Sequence, residues 1–365
     1  MSRRRSLPVL LVTALAAGVL SPIAAQPPAP QFEFQKLADG VYASIRKEAV
    51  GLGVDANNLF IIDDDGVVVV DTNFGQSSTR RVLATLRTLT DRPVKVVINT
   101  HPHDDHVLGN QVYRDAFPGV EFIAHPFLKE YLPARGAINR KNQVQNLPGF
   151  ATALKEALSK GVNLGGVPIT AEERAGYASD LRMIGAYLSD APTFTDVLPT
   201  RTVDSKLTLT RGKRTLDILH LGRGHTAADL VVHLPQEGIV ATGDLVVFPI
   251  PLVGGDQSFV SEWSGTLEKV IALKPTIIVP GHGPVMRDTS YLRMVADLFT
   301  SVTSQVRGAA GAGQTLEQVR KVVDLAQFRQ QFAGDSQLKR FLFASYVNGP
   351  GVAAAYRELK PAADD

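Results

Sequence analysis

One short segment, at residues 99–106, constrains this chain more than any other feature. It reads Asn-Thr-His-Pro-His-Asp-Asp-His, and it follows an apolar run at Val94–Ile98 that is typical of a buried strand. Three of the eight histidines of the chain, His101, His103 and His106, therefore lie within six residues of one another. Such a polar cluster at the end of a buried strand destabilises a fold unless the imidazoles bind something. The segment thus predicts a metal site.

The residue types narrow the choice of metal. In an extended loop, side chains two residues apart point the same way. We therefore expect His101 and His103 to approach one cation, while Asp105 and His106 turn toward a neighbouring position. The chain has no cysteine, which excludes thiolate ligands and disulfides. Neutral imidazoles and carboxylates suit zinc, iron or manganese better than calcium or magnesium.

A cation held by this loop alone would lack ligands, and later segments supply them. In each segment a His or an Asp comes directly after an apolar strand, beside glycines that allow a tight turn. The segments are Gly224-His225-Thr226, Gly243-Asp244 and Pro280-Gly281-His282-Gly283. The other histidines of the strand regions are expected to be structural, namely His125, His220 and His233.

The order of predicted elements favours an α/β layered fold. Of the 365 residues, 44% are hydrophobic and 20% charged, which is enough to bury a substantial core. Strands predicted at 41–45, 58–62 and 67–70 precede a helix at 77–91 and a strand at 94–98. Further strands are predicted at 206–209, 215–219, 230–234, 238–242 and 276–279.

Helices dominate two other stretches. Residues 126–192 are predicted to be a helical insertion that either covers the core or forms a wall over the site, and residues 288–365 a helical C-terminal extension. Capping-box patterns predict helix starts after Thr170 and Thr315.

The N-terminus has the layout of a secretory signal peptide. Arginines at positions 3–5 precede an apolar run over 7–20 and small residues at Ala24 and Ala25. We expect cleavage after residue 25, a linker over 26–31, and a periplasmic or secreted protein without a stable membrane span; an uncleaved anchor is the alternative. The net charge of +2, with no basic stripe, argues against nucleic acid as a partner.

In order and in spacing, the four motifs resemble the metal-binding motifs of the metallo-β-lactamase superfamily. The resemblance takes in Asn58 and the strand ending at Asp71, and we place the domain at 32–287. It implies a four-layer αβ/βα sandwich with the site at the open edge between the two sheets, and two zinc ions per chain, with iron or manganese as alternatives. It assigns His101, His103 and His225 to the first metal, Asp105, His106 and His282 to the second, Asp244 to a bridge between both, and Asp71 to the support of the histidine loop.

The resemblance and two-metal chemistry together predict a hydrolase of small molecules. We expect a metal-bridging hydroxide to attack an ester, thioester, lactone or β-lactam carbonyl, with Asp105 receiving or orienting the proton. Asp244 stands where one group of β-lactamases has a metal-binding cysteine, which argues against that group. An all-histidine β-lactamase, a mononuclear-iron sulfur oxygenase and a periplasmic metal-binding protein stay open as alternatives.

Two local questions also stay open. Residues 227–229 depart from the family's usual Pro-Gly continuation after Gly-His-Thr, so the pattern leaves the shape of the loop at His225 open. Trp263 and residues 248–251 follow the Asp244 strand and line either the pocket or the core.

Overall fold

The structure, a computed structural model, describes residues 31–359. The predicted signal peptide at 1–25 lies outside the described residues, as do positions 360–365. Between residues 31 and 359, none of the helices combines the length and the apolar character that a membrane crossing requires.

Two sheets form the centre of the molecule. The strands of the first sheet, adjacent in chain order, are β1 (Phe32–Ala38), β2 (Val41–Arg46), β3 (Asn58–Asp63), β4 (Gly66–Val70), β5 (Val94–Ile98), β6 (Glu121–Ala124) and β7 (Arg201–Thr202). β1 to β4 pair antiparallel, whereas β4 to β7 pair parallel. The second sheet has the order β12-β11-β10-β9-β8, made of β8 (Lys206–Arg211), β9 (Arg214–His220), β10 (Leu230–Leu234), β11 (Ile239–Ala241) and β12 (Ile277–Val279). Only β11 and β12 are parallel within it.

Helices cover both sheets. Those before β8 are α1 (Gln76–Leu89), α2 (Asp104–Val107), α3 (Asn110–Ala116), α4 (Phe127–Tyr131), α5 (Ala137–Lys160) and α6 (Ala171–Asp190). Those after β11 are α7 (Val260–Ala272), α8 (Ser290–Gly311), α9 (Leu316–Val322), α10 (Ala326–Ala333), α11 (Gln337–Phe343) and α12 (Gly349–Leu359). Single wider or tighter turns lie at Leu132–Gly136, Ala191–Thr193, Gly243–Leu245, Gly255–Gln257 and Ala344–Asn348.

The alternation of side chains along the strands builds the layers. In β4, Val68 and Val70 face the second sheet and share a buried apolar cluster with Ile218. Val69 points the other way and packs with Val82 of α1. The far face of the second sheet is covered by α7, α8 and the C-terminal helices in a third cluster. The layers are therefore helix, sheet, sheet, helix, which confirms the predicted αβ/βα sandwich with its helical insertion and C-terminal extension.

Most predicted elements are present with small shifts at their ends. β5 and β10 have the predicted bounds, and both capping boxes form, at Thr170 with Glu173 and at Thr315 with Gln318. The sequence pattern missed β7, because a two-residue strand has no periodicity and exists only through its pairing with β6.

Candidate metal centre

The seven predicted ligand residues follow the ends of strands in both sheets. They form two clusters, and within each cluster one donor atom per residue lies within 4.8 Å of the others. The first cluster contains His101, His103, His225 and Asp244, and the second contains Asp105, His106 and His282. Six of the seven are buried, and His103 is partly exposed. The fold thus brings together residues that are up to 181 positions apart, from His101 to His282.

The carboxylate of Asp244 lies between the two clusters. Its Oδ2 is 3.9 Å from His101 Nε2 and 3.5 Å from His225 Nε2. Its Oδ1 is 3.2 Å from both His106 Nε2 and His282 Nε2. Each oxygen therefore faces one cluster, which is the geometry that a bridging carboxylate requires.

The histidine loop differs in one respect from the extended loop that we expected. His103 has an extended backbone, but α2 begins at the next residue, Asp104. Asp105 and His106 consequently project from the first turn of a helix, and this turn directs them to the second cluster. A helix of four residues is too short to leave a periodic pattern in the sequence.

Unpartnered atoms of the second cluster and of Asp244 indicate that these residues fit a cation. Four buried atoms have no hydrogen-bond partner within the described part of the chain: Asp105 Oδ2, His106 Nε2, Asp244 Oδ1 and His282 Nε2. They face one another, with His282 Nε2 3.1 Å from Asp105 Oδ2 and 3.2 Å from Asp244 Oδ1. Buried polar atoms are normally paired, so this convergence of two nitrogens and two oxygens is the arrangement that a bound metal ion would satisfy.

Three histidines are oriented by acceptors behind them. The Nδ1 of His106 lies 2.8 Å from Asp71 Oδ2, that of His225 lies 2.8 Å from the carbonyl oxygen of residue 252, and that of His282 lies 3.1 Å from the carbonyl oxygen of residue 55. These oxygens only accept, so each Nδ1 carries the proton and donates it. When the ring is neutral, its Nε2 lone pair is therefore free to point into the centre, as a metal ligand requires.

His101 and His103, in the histidine loop, are oriented by side chains instead of backbone carbonyls. The carboxylate of Asp71 accepts hydrogen bonds from the backbone N–H and the hydroxyl of Thr100, each at 2.7 Å. Since that hydroxyl donates to Asp71, its oxygen is left to accept from His101 Nδ1, 3.1 Å away. His103 is turned the other way: its Nδ1 faces the cluster, and its Nε2 lies 3.3 Å from Gln257 Oε1. Asp71 thus lies behind the histidine loop.

Burial and neighbouring charges shift the histidine pKa values of the two clusters in opposite directions. Burial lowers the pKa of His225 to about 3, and burial together with the neighbouring His106 lowers the pKa of His101 well below its usual value. Burial also disfavours a charged His282, but Asp244 and Asp105 outweigh it and raise the pKa of His282 to about 9. The first cluster therefore holds neutral imidazoles, whereas the second holds positive charge that a cation would replace.

Several supporting residues were missed by the sequence analysis. Gln257 and the carbonyl groups of residues 55 and 252 reach the ligands only through tertiary contacts. The open question about the loop after His225 is answered by Asp229, which accepts hydrogen bonds from the backbone N–H and the hydroxyl of Thr226. An Asp three residues after a Thr, whose carboxylate can accept from that Thr, is the one local sequence signal that was available.

The remaining candidates lie outside the two clusters. His125 and His220 pack against each other, with ring centroids 4.7 Å apart. Trp263 is fully buried and stacks on Phe299 in the core. Phe248, by contrast, is 39% exposed and lines a pocket beside His282, together with Pro249 and Ile250.

Comparison with known proteins is consistent with this centre. The family model described as Metallo-beta-lactamase superfamily matches residues 52–282, a stretch that contains all seven residues of the two clusters. The chain therefore belongs to the metallo-beta-lactamase superfamily.

The individual relatives share only low sequence identity with this chain. The chain is 24% identical over 275 residues to a linear primary-alkylsulfatase of Pseudomonas sp. (strain ATCC 19151), over 72% of this chain and 48% of that protein. Among solved structures, a metallo-beta-lactamase from Pontibacter korlensis matches with a TM-score of 0.50 and 21% identity, over 74% of this chain and 99% of the other. The sec-alkylsulfatase Pisa1 from Pseudomonas sp. matches with a TM-score of 0.60 and 18% identity, over 91% of this chain and 51% of the other. The chain spans about half the length of these two alkylsulfatases.

Proposed function

We propose that this protein is a hydrolase that holds two divalent metal ions, zinc in the first instance, and cleaves an acyl substrate such as an ester, thioester, lactone or β-lactam. The observation that carries the proposal is the position of Asp244, which turns one carboxylate oxygen toward each of two His-rich clusters. A pair of divalent cations supplies a hydroxide nucleophile at neutral pH and Lewis acidity toward the substrate oxygen. His101, His103 and His225 would hold one ion, Asp105, His106 and His282 the other, and Asp244 both.

The chain's own residues have separate tasks in this proposal. Asp71 and Gln257 fix the rotation of the rings of His106 and His103. Asp105 handles the proton. Burial alone would raise the pKa of Asp105, but the neighbouring His106 and His282 outweigh it and hold that pKa below its usual range. Asp105 is therefore ionised, which suits the orientation of a proton-bearing group near the reacting centre better than the uptake of a proton.

A sulfate ester is the second candidate substrate. The favouring observation is coverage: the likeness to the sec-alkylsulfatase structure extends over 91% of this chain, against 74% for the β-lactamase structure, which is itself matched over 99% of its length. The additional likeness therefore lies in parts of this chain that the β-lactamase lacks.

The test is hydrolysis of a matched panel by the metal-loaded protein. The panel contains a chromogenic β-lactam, a lactone, a thioester, a phosphodiester, an acyl ester and an alkyl sulfate. We expect turnover of at least one class. We expect His103→Ala to abolish it while the fold stays intact, because His103 belongs to the first cluster and is partly exposed. His125→Ala is the matched control, since this histidine lies outside both clusters and should leave turnover unchanged.

Metal analysis separates the alternatives. Two zinc ions per chain together with turnover would support the proposal. A single iron per chain and oxidation of a sulfur compound would favour the hypothesis of a mononuclear-iron sulfur oxygenase instead. Metal uptake with no turnover of any panel member would contradict the hydrolase proposal and leave a metal-binding protein. The predicted small-molecule substrate is part of this proposal, and the periplasmic or secreted location stays a prediction.

A further inference from the structure

A group of buried charged side chains connects the helical insertion to the histidine loop. The carboxylate of Asp104, the residue directly before the candidate ligand Asp105, is buried. Its Oδ1 accepts a hydrogen bond from Arg140 Nη1 at 3.4 Å, and its Oδ2 accepts one from Gln143 Nε2 at 3.0 Å. Arg140 also pairs with Asp196 at 2.8 Å. Two side chains of α5 therefore hold Asp104 at both of its oxygens.

Burial of apolar side chains does not explain how the first half of α5 is held in place. Among the 24 residues of this helix, only Leu154 and Ala157 are buried, and both lie in its second half. Arg140 and Gln143 lie three residues apart, so they project from the same side of the helix. The side chain of Arg140 is only 12% exposed, and burial of a charge costs free energy even when it is paired. Stability alone is therefore a weak reason for this ion pair.

The short helix α2 needs contacts of this kind. It has four residues, and a helix of this length does not hold its conformation without tertiary contacts. The residues that follow β4 and β5 fix its C-terminal end. The carbonyl of His106 accepts hydrogen bonds from the backbone N–H and the hydroxyl of Thr72, each at 3.0 Å, and from Asn99 Nδ2 at 2.8 Å. The N-terminal end of α2 is held through the side chain of Asp104, and Asp105 lies between these two anchors.

Asp105 depends on the backbone of α2 for its direction. Each histidine of the two clusters has a hydrogen-bonding group behind it that lies outside the clusters. The carboxylate of Asp105 accepts no hydrogen bond from such a group anywhere in residues 31–359. Its polar neighbours are His282, at 3.1 Å, and His106, at 3.5 Å, which belong to the same cluster. The contacts that fix α2 therefore also fix the position of the Asp105 carboxylate.

We propose that Arg140, supported by Gln143, is a positioning residue for the second metal ion. It acts through Asp104, which it holds in place, and so fixes the turn of α2 that directs Asp105 to the second cluster. The inference rests on the proposed function in one respect, namely that the second cluster binds a metal ion. It gives the helical insertion a part in the metal centre in addition to its role as a cover.

The zinc affinity of Arg140→Met tests the proposal without turnover. In competition with a chromogenic chelator, the affinity for the second zinc ion should fall about tenfold, the lower end of the range for groups that orient ligands, because Arg140 acts through Asp104. The affinity for the first zinc ion should stay within about twofold, because the histidines of the first cluster do not lie on α2. The direction of the change is decisive. Loss of a positive charge near the centre favours a bound cation, so a purely electrostatic role predicts tighter binding.

Substitution of zinc by cobalt gives a second readout. The visible absorption of a bound cobalt ion depends on its ligands, so a displaced Asp105 carboxylate should change it. Arg140→Met should alter the absorption of the second cobalt ion and leave that of the first unchanged. Asp105→Ala, which removes the ligand itself, gives the reference spectrum for a second site without this carboxylate. A role confined to holding the fold together would change both spectra alike or neither.

Two further variants make the test independent of charge and of folding. Gln143→Leu changes no charge and removes the hydrogen bond to the other oxygen of Asp104, so it should also weaken the second zinc ion. It carries the test if Arg140→Met does not fold, as judged by thermal unfolding of the metal-free protein. Arg182→Met is the matched control: Arg182 belongs to α6 of the insertion and pairs with Glu48 at 2.8 Å, and neither residue is next to a ligand. It should bind both zinc ions as the wild type does.

The inference and the proposed function fail in different ways. A folded Arg140→Met or Gln143→Leu protein that binds the second zinc ion within about twofold of the wild type, or more tightly, would overturn the inference alone. Equal losses at both zinc sites, or a matching loss in Arg182→Met, would overturn it as well, because the effect would then be general. A wild-type protein that binds a single zinc ion would refute the two-metal proposal, and this inference with it.

Discussion

Replacement of Asp71 by Asn should weaken metal binding at the second cluster while leaving the fold intact. Asp71 has a left-handed backbone, with φ of 58°, which Asn tolerates as well as Asp. The change therefore acts on the side chain alone. One oxygen of Asp71 accepts from the backbone N–H of Thr100, and the other accepts from the Thr100 hydroxyl and from His106 Nδ1.

An amide can satisfy only one side of this arrangement. If its NH₂ faces the backbone of Thr100, two donors oppose each other in a buried site, at a cost of about 1–3 kcal/mol. If its NH₂ faces His106, it donates to Nδ1, and the proton of the ring moves to Nε2. That nitrogen points at Asp105 and Asp244, so a protonated Nε2 could no longer bind a metal. The second orientation avoids the opposed donors at the Thr100 backbone, and it predicts a loss of about 10- to 100-fold in affinity for the second metal.

The assay is competition for zinc with a chromogenic chelator, which reports both stoichiometry and affinity. Asp63→Asn is a suitable control, because Asp63 is also a buried aspartate at a strand end but lies outside both clusters. Thermal unfolding of the metal-free proteins should show that Asp71→Asn is folded. Two zinc ions bound by Asp71→Asn with affinities within about twofold of the wild type would refute the argument that Asp71 sets the proton position on His106.

Two further predictions follow from backbone space and from charge. Gly281→Ala should abolish binding of two metals, because an added Cβ would lie 2.0 Å from Asp244 Oδ1. Gly265→Ala is the control: no atom lies within 4 Å of its added Cβ, and it should bind metal as the wild type does. Retention of two metals by Gly281→Ala would contradict the geometry. The metal-free protein should lose stability as pH rises from 6.5 through 9, because the folded-state pKa of His282 is raised from 6.5 to about 9 and its stabilising contribution is complete only below the unfolded value. Urea unfolding of the chelated protein across this range should show a larger loss in the wild type than in His282→Gln. Part of the loss stays in the variant, because Asp105 and Asp71 also raise the pKa of His106. A difference between the two proteins that stays constant with pH would argue against the prediction.

Much of the candidate site could be predicted from the sequence because its ligands follow strand ends. The motif at His101 comes directly after the buried run of β5, and the glycines beside His225 and His282 are local features that can be recognised without a fold. The same locality explains why the capping box at Thr170 was predictable, since its partner is three residues away. The assignment of each ligand to a metal came from the family resemblance and stays a prediction.

The acceptors behind the ligands had no such local signal. Gln257 lies in a single turn, 154 positions from His103, and nothing in the neighbouring sequence distinguishes it from other glutamines of the chain. The carbonyl of residue 55, which orients His282, is a backbone atom that any residue would provide. Only the folding of distant segments onto one another assigns these groups a role.

What the sequence determined by itself is therefore the chemistry: which donor atoms are present, which metals they suit, and that they stand at the ends of strands. What only the tertiary structure decided is which donors meet, how Asp244 turns one oxygen to each cluster, and where an apolar pocket opens beside His282. The physical reason is the range of the interactions. Strand periodicity and capping act over a few residues. The pocket, in contrast, is built from the β2–β3 loop and a helix almost 300 positions later, and no local pattern encodes the contact between them. The hydroxyl of Tyr346, for example, donates to the carbonyl of Leu52, 294 positions away.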